Sequence, residues 1–281
     1  MENTEKRFEL KAWKVLIGLN VLVFALGYLL DITLTNDLIF IHGAKVNFRI
    51  ADGHIYRLIS SMFIHADLFH LLANCYAIYV LGDVIEKFFG TKKFLIIFFV
   101  AGITGSLASF IFSPHNSVGA SGGIFGFFGV HLYLYLRKPD VYKKIFGTSI
   151  FVLLAINIFI GITSDRIDNF AHLGGLVGGM AACFAVGLKF ENMFDSKRTL
   201  AQVLIIGTLA VSLFFGMQYR SETPDYYFQK AYYSFVDMNN EAGTELLIAG
   251  IQKHPNDPDI ISLISWVNEN YRVIYDLNKS K

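Results

Sequence analysis

Three short stretches of this sequence hold side chains able to carry acyl-transfer chemistry. The first is Gly119-Ala120-Ser121-Gly122. A serine hydroxyl becomes a nucleophile when a base takes its proton, and glycines on both sides let backbone and substrate approach closely. A serine that opens a helix also sits among unpaired N–H groups able to hold an oxyanion. The second is His172, in Asn169-Phe170-Ala171-His172-Leu173-Gly174-Gly175-Leu176-Val177-Gly178-Gly179. Imidazole is the commonest base for such a serine. The third is His65-Ala66-Asp67-Leu68-Phe69-His70-Leu71-Leu72-Ala73-Asn74. His70 and Asn74 are four apart, share one helix face, and can both donate to a developing oxyanion.

Taken singly, each stretch has a plainer reading. Ser121 fits as a small residue between packed helices, His172 as an interhelical hydrogen-bond donor, and the third stretch as a polar patch anchoring a loop. A metal site is the rival functional reading of the third stretch. It lacks an HExxH pair, and Asp67 is its only carboxylate, so no metal is expected. Neither Cys75 nor Cys183 supports a disulfide framework or a zinc site, because both lie inside apolar runs and read as small buried hydrophobes.

The elements that must position these residues are membrane helices. Of 281 residues, 54% are hydrophobic and 17% charged, against roughly 45–50% and 25% in soluble domains. The excess lies in seven runs of spanning length: 15–30, 68–85, 94–112, 118–136, 145–162, 170–188 and 200–217. Charged residues, costly at a span's centre, are almost absent from them; Asp83 sits at the end of the second. The N-terminal segment and the connections after the second, fourth and sixth runs hold 14 Lys and Arg. The opposite connections hold only Lys45, Arg49, Arg57 and Arg166. That bias places the N-terminus inside and, with seven spans, the C-terminal tail outside. Ser121, His172, His70 and Asn74 then all lie near the outer surface.

Glycine spacing gives two of these runs a reason to meet. Gly174/Gly178 and Gly175/Gly179 are overlapping GxxxG pairs, and Gly122, Gly126 and Gly129 form a small face on the fourth run. Packing these faces together brings His172 toward Ser121 at equal depth. Residues 31–67 form a long outer connection with apolar residues spread through it, among them Ile39, Phe40, Ile41, Phe48, Leu58, Ile59 and Phe63. A protein-packed, partly embedded loop fits, since exposure to lipid would leave backbone groups unpaired. The tail, 218–281, has helical periodicity over 226–239, 241–254 and 259–278, with Pro255 and Pro258 closing one helix and opening the next.

In this order the residues resemble the rhomboid protease family. The resemblance runs over about 56–187 and is carried by Tyr56-Arg57-Leu58, His65, His70 with Asn74, Gly82 with Glu86 and Gly90, Gly119-Ala120-Ser121-Gly122, and Ala171-His172 with Gly175. It implies a catalytic dyad of Ser121 and His172. It further implies an oxyanion site of His70, Asn74 and the Ser121 N–H beside Gly119, with Phe125 packed on the imidazole. His65, Arg57 and Glu86 would be structural. Members of that family hydrolyse a peptide bond in or near a transmembrane helix of a substrate protein, without a cofactor. Their inactive relatives lack the serine or the histidine.

The expected fold is an all-α membrane protein: a six-helix rhomboid bundle, a seventh C-terminal transmembrane helix and a small soluble helical tail. The expected boundaries are 1–14 for a cytoplasmic segment, 15–190 for the six-helix domain, 199–217 for the seventh helix and 218–281 for the tail. Tyr227, Ala231, Gly243, Leu247, Gly250 and Pro255 give the tail a loose resemblance to a tetratricopeptide pair; a protein partner for it is the functional reading and a packing appendage the plain one. Expected partners are transmembrane protein substrates and the lipid bilayer. A net charge of +1 gives no case for nucleic acid. A compact chain without a transit peptide points to a bacterial plasma membrane. The alternatives are a non-catalytic chaperone or scaffold of the same fold, which would not need an intact dyad, and a transporter, which would need charged or broken midplane helices.

Overall fold

The computed structural model describes residues 11–34, 42–164 and 166–271. Among these the regular structure is helical, apart from an isolated antiparallel bridge between Lys45 and Ser117. The helices are α1 (Ala12–Leu34), α2 (Asn47–Ala51), α3 (Arg57–Ser60), α4 (Leu68–Phe89), α5 (Thr91–Phe112), α6 (Ser121–Arg137), α7 (Pro139–Phe146), α8 (Ser149–Thr163), α9 (Asn169–Val186), α10 (Ser196–Arg220), α11 (Pro224–Val236), α12 (Asn240–Lys253) and α13 (Pro258–Tyr271), with a 3₁₀ turn at Ser61–Phe63. The described chain falls into two compact units, one of residues 11–45 and 56–212, the other of 46–55 and 213–271.

Helices α1, α4, α5, α9 and α10 are each long and apolar enough to cross a membrane. The run expected at 145–162 is not one straight helix. Gly147, at φ +61°, ends α7, and α8 leaves it at 81°; the two together make a sixth candidate span. A positive φ is strained for any residue with a Cβ, which is why glycine marks the corner. The run expected from Val118 becomes helical only at Ser121, because Gly119 takes φ +117°. At 17 residues α6 is at the short end of what crosses a bilayer.

In the first unit α9 lies against both α5 and α6, with glycine at every close approach. A Cβ on Gly174 would come 2.7 Å from the Ala108 Cβ and 2.8 Å from the Thr104 carbonyl oxygen, both on α5. A Cβ on Gly175 would overlap the Gly122 carbonyl of α6, and one on Gly179 the backbone of Gly126. The two overlapping GxxxG pairs therefore face two different neighbours. One residue step turns a helix by about 100°, so adjacent pairs point to adjacent helices. Beside this seam, Phe94 and Phe98 of α5 pack on Phe127 of α6.

Helix α1 is fixed to α4 at the end away from Ser121. Glu86, in the last turn of α4, accepts from the Ala12 N–H at 3.1 Å, the Trp13 N–H at 3.3 Å and the Thr91 hydroxyl at 2.7 Å. A carboxylate at a helix N-terminus satisfies orphan N–H groups and opposes the helix dipole favourably. Asp83, one turn away, takes Lys11, Lys87 and the Trp13 indole N–H.

In the described part of the long connection Phe48 and Leu58 are buried, while Ile59 is exposed. Lys45 is fully buried and donates to the His115 carbonyl at 2.5 Å, while Arg57 donates to the Ala44 carbonyl at 2.8 Å. Ile39, Phe40 and Ile41 lie outside the described residues.

In the second unit, α11, α12 and α13 enclose a core of Tyr227, Ala231, Phe235, Leu247, Ile251, Ile260, Leu263, Ile264 and Val267. Gly243 lies under the Phe235 ring and Gly250 under Tyr227. Pro224 and Pro258 each start a helix, where a missing N–H costs nothing. The expected third helix extends to 278, and its last residues lie outside those described. The short α2 joins this unit: Phe48 packs on Tyr233 with centroids 5.4 Å apart, and Asp52 takes the Tyr226 hydroxyl at 2.8 Å and Lys230 at 2.9 Å.

The glycine seam predicts a clear contrast. Gly175→Ala should destabilise the protein by about 2 kcal/mol or more through overpacking, seen as a lower thermal midpoint in detergent. Gly207→Ala on α10, with no atom within 4 Å of its new Cβ, should not lower it.

Candidate active site

Ser121 is placed by the irregular segment ahead of α6. Lys45 and Ser117 exchange backbone hydrogen bonds of 3.0 Å in both directions, and the Gly119 N–H donates to the Ser61 carbonyl at 2.9 Å. These bonds fix the chain up to Gly119, and Ser121 then becomes the first residue of α6. Its own N–H is one of the orphan donors of that turn.

His172 comes from the first turn of α9. Its Nε2 lies 3.0 Å from the Ser121 Oγ. The ring stacks face to face on Phe125 of α6, with centroids 3.8 Å apart and planes 12° apart. With Nε2 accepting from the serine, the neutral ring carries its proton on Nδ1.

His70 and Asn74 stand on α4 over the same spot. A Cβ on Gly119 would be 2.7 Å from the His70 Cε1 and Nε2 and 3.8 Å from the Asn74 Nδ2. Only glycine fits between these side chains and the serine. Asn74 spends one amide hydrogen on the His70 carbonyl at 2.9 Å and keeps a second. Asp67 caps α4 by accepting from the His70 N–H at 2.8 Å.

These residues line a cleft of about 610 Å³. Its walls include Tyr76 and Val80 of α4, Phe128 of α6 and Leu153 of α8. Among the described residues no group of His, Cys, Asp and Glu is arranged to hold a metal ion.

The structure thus gathers Ser121, His172, His70, Asn74, Gly119 and Phe125 in one place. Sequence reasoning missed Asp168 and Asn157, which also line the cleft. Asp168 caps α9, accepting from the Ala171 N–H at 3.0 Å. An Asp just before an apolar run is an N-cap signal, and that signal was available. Asn157 is a lone polar residue deep in an apolar run, and periodicity does not say which face it takes.

The assembled picture is a helical membrane protein with a serine–histidine pair at the end of a helix, beside hydrogen-bond donors. A family signature, the Rhomboid domain, matches residues 52–189. The chain is 35% identical to Rhomboid protease GluP of Bacillus subtilis (strain 168), over 89% of this chain and 49% of that protein. It is 33% identical to the rhomboid protein YdcA of the same organism, over 53% of this chain and 75% of that protein. It is also 34% identical to Inactive rhomboid protein 1 of Rattus norvegicus, over 58% of this chain and 19% of that protein. The chain belongs to the rhomboid family and is a multi-pass integral membrane protein. It spans about half the length of GluP.

His65 adds a pH dependence. Its ring is buried and packs edge-on to His70, with centroids 5.0 Å apart. Burial pushes its pKa down to about 4, with the like charge of His70 acting the same way. The unfolded chain takes a proton at about pH 6.5, so its share of stability is complete above that and declines by up to ~1.4 kcal/mol per pH unit as pH falls. The decline ends near the folded value of about 4. Thermal midpoints in detergent should drop across this window, and by less in His65→Gln.

Proposed function

We propose that this protein is an intramembrane serine endopeptidase that cleaves transmembrane segments of other membrane proteins. The observation that carries this is the 3.0 Å approach of the His172 Nε2 to the Ser121 Oγ, at the first residue of a helix. His172 takes the hydroxyl proton as Ser121 attacks the scissile carbonyl. The Ser121 N–H, His70 and Asn74 hold the oxyanion. The imidazolium then protonates the leaving amine, and water, deprotonated by the same ring, hydrolyses the acyl-enzyme. The substrate segment reaches the serine through the cleft between α4 and α8, whose walls are mostly apolar. No cofactor takes part. A scaffold role, as the match to an inactive relative would allow, needs no such pair.

The protein reads as six rhomboid spans with α10 as a seventh, in a bacterial plasma membrane, the N-terminus cytoplasmic and the tail outside. The number of spans, though not the orientation, is supported by the contact of α2 with α11 inside the second unit. Two segments in contact lie on one side of the bilayer, so the chain between them crosses an even number of times. Helices α4, α5, α6, α7 with α8, α9 and α10 make six. The tail, a helical unit with its own core, is the module for a protein partner.

Purified full-length protein should cleave a transmembrane model substrate in liposomes and react with a fluorophosphonate probe at Ser121. Ser121→Ala and His172→Ala should each abolish cleavage. Wild-type rates in Ser121→Ala would sink the assignment. His70→Ala or Asn74→Ala should slow kcat by roughly 10²–10³, as loss of an oxyanion donor does in soluble hydrolases.

A further inference from the structure

We propose that Asp168 is the positioning residue for the His172 base, acting through the backbone of α9 rather than on the imidazole. The inference rests on the serine protease reading. In a serine triad a carboxylate bonded to the histidine Nδ1 fixes the ring. Among the described residues, no carboxylate bonds His172. Its direction is left to the Phe125 face and to the point where the α9 backbone starts.

Asp168 sets that starting point. Its Oδ1 accepts from the Ala171 N–H at 3.0 Å, and its carbonyl accepts from the His172 N–H at 3.1 Å. Its Oδ2 accepts from the hydroxyl of Ser109, which is fully buried near the end of α5. One residue therefore fixes the first turn of α9 along its axis and ties it sideways to α5. The turn has little slack to absorb a change. A Cβ on Gly105 of α5 would come 2.6 Å from the Ala171 carbonyl oxygen, so the turn already rests on the neighbouring helix. Without the cap and the tie, the turn frays and the imidazole loses its line to the serine.

The experiment uses full-length protein in detergent with a transmembrane model substrate, reading kcat and KM separately. Wild type and Ser121→Ala bracket the protease reading itself. If those two cleave alike, that reading fails, whatever Asp168 does. With the bracket in place, Asp168→Ala should lower kcat about tenfold or more with KM little changed, the cost of a small misplacement. Asp168→Asn should recover most of kcat, because the carboxamide oxygen can cap Ala171 while its N–H₂ donates to the Ser109 oxygen. Ser109→Ala, which cuts only the tie to α5, should fall between wild type and Asp168→Ala. A wild-type kcat in Asp168→Ala overturns the proposal. So does an Asp168→Asn as slow as Asp168→Ala, since charge would then be the property that matters. Should Asp168→Ala fail to fold, Ser109→Ala decides: a wild-type kcat overturns the proposal, and a reduced one with KM unchanged supports it.

Discussion

Where α9 crosses α6, backbone meets backbone: the Gly122 carbonyl occupies the space that a Cβ on Gly175 would need. In lipid, helices gain no hydrophobic energy by meeting each other, because the acyl chains are as apolar as leucine. What remains is dispersion, at about 0.1–0.2 kcal/mol per atom pair, and weak Cα–H···O contacts. Both reward the shortest approach, and only glycine permits it. The same seam fixes the approach of Ser121 to His172. Ser121 precedes Gly122 on one helix, and His172 stands one turn ahead of Gly175 on the other. The spacing of the helices therefore sets the spacing of the Ser121 Oγ and the His172 Nε2.

The segment before α6 faces the opposite problem. It is not helical, so its backbone groups must find partners elsewhere. Two bonds between Lys45 and Ser117, and one from Gly119 to Ser61, supply them from the connection between α1 and α4. Buried Lys45 and Arg57 spend their charge on the carbonyls of His115 and Ala44. These bonds hold the irregular backbone up to Gly119, so the serine can open the helix.

Much of this was legible in the sequence, for physical reasons that differ by element. The long apolar helices were visible because a bilayer admits few charges, and the glycine faces because a fixed helical repeat turns spacing into direction. That Gly174 and Gly178 serve α5 while Gly175 and Gly179 serve α6 was not foreseen, although the one-residue offset encodes it. The corner at Gly147 had a local signal, since Gly147-Thr148-Ser149 is a turn-type cluster, but it lies at the edge of an apolar run long enough to read as one span. The start of α6 at Ser121 rather than Val118 depends on the φ of Gly119, which hydrogen bonds to distant residues decide. The grip of Asp52 on Tyr226 and Lys230 joins residues far apart in the chain, and no local pattern announces it.

That no carboxylate among the described residues bonds the His172 ring has a physical logic. A charge placed beside the Nδ1, among packed helices, would carry a large desolvation cost unless fully paired. At a helix N-terminus the same charge meets orphan N–H groups and the positive end of the dipole. Asp168 occupies such a place, half-buried, with both oxygens accepting hydrogen bonds. In a soluble serine triad the carboxylate holds the histidine by its ring. Here the histidine rides on a helix whose path is already set by glycine contacts on two sides. Holding the start of that helix is enough to aim the ring, with the stacked face of Phe125 removing its remaining freedom to rotate.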